Sequence, residues 1–236
     1  MESAAKPVAG RPVALYALLM SLTVLCVALA VWQVQRLQWK EALIARVEAG
    51  MRASPLPVKR LPASDLVSLE YRRVSLNGRY DAQGTVLVAG ASTRGSGYWV
   101  LTPVSGAART VYVNRGFVPL GSKLLDVRQD TPTGPVFITG LLRRTEPGGG
   151  FLRANRPTEN RWYSRDVAQI AVSKSVSADP RLFIDAITEA PSSPSAPIPG
   201  LTIINFPNNH LAYALTWAAL SILSAGAAIM LWRRPA

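Results

Sequence analysis

The sequence predicts a membrane protein of the α+β class, with one transmembrane helix near each end and an antiparallel β-rich domain held outside the cytoplasm between them. Three observations carry this. No charged residue occurs from Pro12 to Gln35, none occurs from Leu211 to Trp232, and the stretch between is charged like a solvated domain. At about 1.5 Å of rise per residue, each uncharged run is long enough to cross a hydrocarbon core roughly 30 Å thick. The expected division is a cytoplasmic N-terminus at 1–12, a first span at 13–35, the β-rich domain at 36–210, a second span at 211–232 and a cytoplasmic C-terminus at 233–236.

A cleaved signal peptide is the alternative for the first span, since Lys6 and Arg11 precede it and Ala28-Leu29-Ala30 resembles a peptidase site. The apolar run Val13–Val31 exceeds a signal core of about 7–15 residues, and Trp32 and Trp39 beyond it suit an interfacial anchor. The segment is therefore expected to stay as an anchor.

Orientation follows from the second span. Arg233 and Arg234 come directly after it, while no Lys or Arg lies between Pro191 and His210, so the positive-inside bias puts the C-terminus in the cytoplasm. With two spans the N-terminus is cytoplasmic as well. The expected setting is a bacterial inner (plasma) membrane, with the main domain periplasmic. Residues 36–210 hold 22 Lys/Arg and 13 Asp/Glu, a net charge of +9, which suits anionic lipid headgroups. Nucleic acid is not an expected partner, because the domain lies in the wrong compartment.

Residues 36–52 mix apolar Leu37, Leu43, Ile44 and Val47 with charges, which predicts that the first helix continues as an amphipathic segment until Ser54-Pro55-Leu56-Pro57 stops it. Alternating apolar positions then predict strands at 71–80, 85–89, 97–104, 109–115, 135–143 and 181–186, with a short one at 161–164. Asp166 reads as the N-cap of a helix through Val172. Strand starts spaced by roughly 8–12 residues favour a small barrel or sandwich. The segment 191–199 is expected to be an extended surface spacer, 201–206 a last strand, and Asn208 and Asn209 side-chain caps for the second span.

The catalytic inventory is thin, and no enzyme is expected. One histidine and one cysteine (Cys26, inside the first span) leave no material for a multi-histidine or thiolate metal site. Gly95-Ser96-Gly97 starts like a dinucleotide loop, but Val100 occupies the third glycine's place. Gly148-Gly149-Gly150 is not followed by a lysine and reads as a flexible loop. Asn114-Arg115-Gly116 reads as turn chemistry at a strand end.

His210 stands apart. It opens the second span at the outer interface, where the positive end of the helix dipole favours a neutral ring, the form that can ligate a metal or a haem iron. Tyr213 and Trp217 follow on the same helix face, and Trp32, Arg36, Trp39 and Lys40 stand at the same depth on the other helix. Together they could line an aromatic cleft with cations for propionates. The competing reading is an ordinary interfacial belt of aromatic and snorkelling basic side chains.

Taken in order, these segments resemble the surfeit locus protein family. The resemblance rests on Trp32-Gln33, Arg36 and Trp39-Lys40; on Gly97-Tyr98 and Leu101-Thr102-Pro103; on Val113–Pro119; and on Asn208–Trp217, which reads Asn-Asn-His-Leu-x-Tyr-Ala-x-Thr-Trp. Phe117 stands where the family usually has Trp, and 199–203 lacks the family's Arg before the second span. The resemblance implies a factor for the assembly of cytochrome c oxidase that binds haem a or assists its insertion into the catalytic subunit of a haem-copper oxidase. Its expected partners are that subunit, haem a or the machinery that makes it, and the bilayer. The resemblance maps the family's proposed haem ligand onto His210; Tyr213, Trp217, Arg36 and Trp32 are added from their positions. The alternative is a scaffold that holds the oxidase subunit without touching haem.

Overall fold

The computed structural model describes residues 13–62, 64–106, 109–150, 153–202 and 204–233. Its contacts divide the chain into two compact units. One comprises the first helix up to Ala45 together with the chain from Asn205 onward; the other is Arg46–Ile204.

The first unit is a helix pair. Helix α1 runs without a break over Val13–Arg52, so the amphipathic segment does continue the first apolar run. The second helix of this unit is His210–Trp232. Both are long and apolar enough to cross a membrane. Along the apolar part of α1, a stripe withdrawn from the surface includes Tyr16, Leu19, Thr23, Cys26, Ala30, Gln33, Leu37 and Lys40, with Leu29 beside it. Their steps alternate between three and four residues, the spacing that keeps one stripe of a helix against a partner. The facing stripe of the second helix is built on small residues, with Ala214, Ser221, Ser224 and Ala228 buried. Small side chains let helix backbones approach closely in a lipid setting, where there is no hydrophobic drive between helices. Ser224 Oγ donates to the carbonyl of Leu19 at 2.9 Å, and His210 meets Gln33. These contacts run in opposite sequence order, so the helices are antiparallel. Leu18, Val24, Leu215, Ile222 and Leu223 point outward, as lipid-facing residues do.

The second unit carries seven strands among its described residues: β1 Leu56–Pro57, β2 Arg73–Tyr80, β3 Val86–Ser92, β4 Gly95–Gly106, β5 Thr110–Pro119, β6 Pro135–Arg144 and β7 Ala178–Ala190. Helix α2, Leu124–Gln129, lies between β5 and β6, and helix α3, Val167–Ser173, lies between β6 and β7; the membrane-type helix His210–Trp232 is α4. The sheet order is β1-β2-β6-β7-β5-β4-β3, and β2 also pairs with β4. That extra pairing closes β2, β6, β7, β5 and β4 into a ring, so the architecture is a small barrel.

The barrel is mixed rather than wholly antiparallel. β5 and β7 run parallel, as do β1 and β2. The chain leaves β5, crosses through β6 and α3, and re-enters beside β5 in its original direction, which a hairpin cannot do. One core cluster, with Val74, Val104, Val113, Ile138, Leu182 and Ile184, fills the ring. A second, with Val88, Leu101, Tyr112, Trp162, Ile170 and Phe183, seats α3. Burying each such aliphatic or aromatic side chain contributes about 1.5–3 kcal/mol.

Several local expectations hold. Strands stand at the expected places, though most are longer than alternation alone indicated. Asp166 caps α3, its carboxylate accepting from the Gln169 N–H at 3.1 Å. Others need correction. Residues 161–164 form only isolated bridges, Val88 with Trp162 and Arg156 with Arg161. The stretch 201–206 forms no strand among its described residues. The proline-rich 191–199 segment is not a free spacer: Ile198 exchanges backbone hydrogen bonds with Phe117 at 2.9 and 3.0 Å. Asn209 occupies the N-cap of α4, but its side chain makes no capping bond, and Asn208 Oδ1 is buried without a partner among the described residues. Both amides stand next to the only histidine, and neither satisfies the helix end.

Candidate functional site

His210 is the first residue of α4 and is half-buried. Its Nδ1 lies 2.8 Å from Gln33 Oε1, across the seam of the helix pair. Gln33 is only 8% exposed, one heptad beyond the buried Cys26 on the same stripe of α1. The pair sets the level at which α1 meets the head of α4. At about 1.5 Å of rise per residue, Trp32 and Arg36 then lie within a turn of Gln33 along α1, and Trp39 and Lys40 lie about 9–11 Å beyond it.

The side chains divide in two. Trp217, two turns on from His210, is half-buried on the α4 stripe that holds His210, Ala214 and Ser221. Tyr213 is 55% exposed on the flank, and Trp32 is 51% exposed. The Arg36 guanidinium stacks 4.2 Å from the centre of the Trp39 ring. Lys40 Nζ lies 5.5 Å from the Phe206 ring centre, on the approach to α4. The structure thus gathers His210 and Trp217 on one stripe. It joins neither Trp32, Arg36 nor Tyr213 to His210 by a hydrogen bond or ring contact among the described residues.

Sequence reasoning passed over Gln33 as a site residue. The available signal was a polar side chain at a seam position, seven residues from Cys26, paired with Trp32 in the motif already noted.

Tested against a haem, the residues present fit. A ring nitrogen of His210 can supply the axial lone pair. Arg36 and Lys40 can face two anionic propionates, and exposed Trp32 and Trp39 offer flat apolar surface. Asn208 Oδ1 is a buried acceptor short of a donor. No group of three or more His, Cys, Asp or Glu side chains that could hold a bare metal ion occurs among the described residues.

The motif Val113–Pro119 has a different character from the one expected. Arg115 does not end a strand. It is the extra residue of a bulge in β5, where Val100 pairs with Gly116 and Leu101 with Asn114. The bulge turns the Arg115 side chain inward, 1% exposed, onto Glu189 and Thr131. Asn114 Nδ2 donates to Asp185 at 2.7 Å, and Arg143 holds the other oxygen of that carboxylate at 2.8 Å. Residues 111–118 are all buried. This motif builds the barrel and leaves little of itself at the surface.

A separate groove of about 790 Å³ runs beside the edge strand β3, lined by Leu87, Tyr98, Leu120, Arg153 and Trp162 among others. It shares no residue with the His210 site.

The SURF1 family model matches residues 20–222. Surfeit locus protein 1 of Mus musculus is 37% identical over 210 residues, covering 81% of this chain and 67% of that protein. Surfeit locus protein 1 of Homo sapiens is 34% identical over 222 residues, covering 86% and 72%. A SURF1-like protein of Monosiga brevicollis is 32% identical over 234 residues, covering 93% and 88%. The match takes in most of both helices and the whole barrel, and the chain belongs to the SURF1 family.

Proposed function

We propose that this chain is an assembly factor for cytochrome c oxidase that receives haem a at the outer face of a bacterial inner membrane, with His210 as ligand, and passes it to the catalytic oxidase subunit. Membership of the SURF1 family supports the assembly role. The observation that carries the haem reading is His210, half-buried at the head of α4 and hydrogen-bonded into the seam at Gln33, with Trp32 and Arg36 within a turn of that glutamine on α1.

In this reading haem a is cargo. Its ring is apolar and its two propionates are anionic, so it suits a boundary between lipid-facing side chains and basic residues. His210 holds the iron, Trp217 supplies aromatic surface along the same stripe, and Arg36 and Lys40 meet the propionates. Transfer needs only that the oxidase subunit bind the haem more tightly than this site does. In this reading the barrel lies on the periplasmic side.

The test is the visible spectrum of detergent-purified full-length protein from cells that make haem a, beside His210→Ala. A haem spectrum lost or shifted in the variant supports the proposal. Colourless preparations of both, with the wild type still co-purifying with the oxidase subunit, would replace it with a scaffold that never touches haem.

A further inference from the structure

We propose that Gln33 is a positioning residue: its side-chain oxygen holds His210 as the Nδ1–H tautomer and leaves Nε2 as the nitrogen that meets the iron. This rests on the reading of His210 as the haem ligand and goes beyond it, because it specifies which nitrogen binds and what holds the ring in place.

The chemistry is compact. A neutral imidazole carries one proton on two nitrogens, and a carboxamide oxygen can only accept a hydrogen bond. With Gln33 Oε1 at 2.8 Å from Nδ1, the proton must sit on Nδ1, so the lone pair is on Nε2. A bond from the second nitrogen to a fixed acceptor is the arrangement that sets tautomer and ring orientation in histidine ligands generally.

Gln33 is itself well held. It is 8% exposed on the seam stripe, with Cys26 one heptad before it and Ala30 and Leu37 on either side. In a seam of low dielectric, a hydrogen bond is electrostatically stronger than in water, and an amide left without a partner is costly. The ring therefore has one well-supported acceptor, and His210 enters α4 with its orientation set before any ligand arrives.

The alternative is that the bond only joins two helices. Three versions of the protein separate the readings. Gln33→Leu removes the acceptor, whereas Gln33→Glu keeps an oxygen at the same reach. The chain has a single histidine, so full-length protein labelled with 15N-histidine gives ring signals from His210 alone. In detergent micelles under mildly alkaline conditions, the wild type should show a protonated Nδ1 and an unprotonated Nε2. Gln33→Leu should lose that pattern, and Gln33→Glu should keep the proton on Nδ1. Haem a titrated into the same samples and followed by difference spectra should bind roughly 10–100-fold more weakly to Gln33→Leu and recover in Gln33→Glu.

A wild-type ring carrying its proton on Nε2, with the Gln33 amide turned to donate, would overturn the assignment. So would a Leu variant that keeps the Nδ1–H pattern or binds haem a as well as the wild type. If the tautomer depends on Gln33 as described but His210→Ala binds haem a unchanged, then the ligand reading falls, and Gln33's role in positioning a ligand falls with it.

Discussion

Arg115 and Glu189 meet through both carboxylate oxygens, at 3.1 and 2.9 Å, with neither side chain more than 6% exposed. Tyr80 adds its hydroxyl to Glu189 at 2.6 Å and lies under the guanidinium, 4.6 Å from ring centre to Cζ. Thr131 takes a further guanidinium N–H at 2.9 Å. Removing one partner of such a pair strands a charge in the barrel. Arg115→Leu should therefore destabilise the β unit by about 3–5 kcal/mol, seen as an earlier denaturant midpoint in tryptophan fluorescence. Arg115→Leu combined with Glu189→Leu should be clearly milder than either change alone. Additive losses, with the double variant costing the sum of the two single changes, would remove the pair from the account.

The same cluster makes a prediction about alkaline pH. Burial, and after it the carboxylate of Glu189, pushes the Tyr80 hydroxyl well above the ordinary tyrosine range. A group whose folded pKa is raised contributes stability that is complete below its unfolded pKa, near 10, and is lost as pH climbs beyond it. Stability of the β unit should fall above a pH of about 10, and Tyr80→Phe should flatten that fall. A pH–stability curve of unchanged slope in the Phe variant would show that Tyr80 does not carry it.

Gly116 is the pivot of the bulge. Its φ is +134°, and an added Cβ would collide with the carbonyl of Ile198. Gly116→Ala should cost at least 1–3 kcal/mol, since both the backbone conformation and the space are wrong for a side chain. Hydrogen exchange should show the loss first at the Phe117 and Ile198 amides, which bond each other's carbonyls.

In the helix pair, Ser224→Ala removes one hydrogen bond to Leu19 but keeps the small stripe, and should cost less than about 1 kcal/mol. Ser224→Leu forces the helices apart and should be much worse, lowering the detergent-solubilised melting temperature and disturbing the His210 ring signals. If the two variants behave alike, the seam is not close-packed there.

How much was legible in the sequence varies with the range of the interaction. Two uncharged runs were enough for the two spanning helices, because the bilayer's thickness sets a length that any chain must meet. Alternation located the strands, and the Asp166 cap was readable because capping acts within three residues. His210 was legible as a candidate from its place at a helix start.

The tertiary structure decided the remainder. Whether β5 pairs with β7 in parallel depends on the path of some sixty intervening residues, and local periodicity contains no record of it. Arg115 looked like turn chemistry because Asn-Arg-Gly is a turn-like string. A bulge and a distant carboxylate 74 residues on made it a core residue. The partner of His210 lies 177 residues earlier in the chain, and only the antiparallel register of two helices brings Gln33 to its ring. Side-chain types and spans follow from local chemistry; which nitrogen faces a glutamine is settled only when two distant segments share one seam.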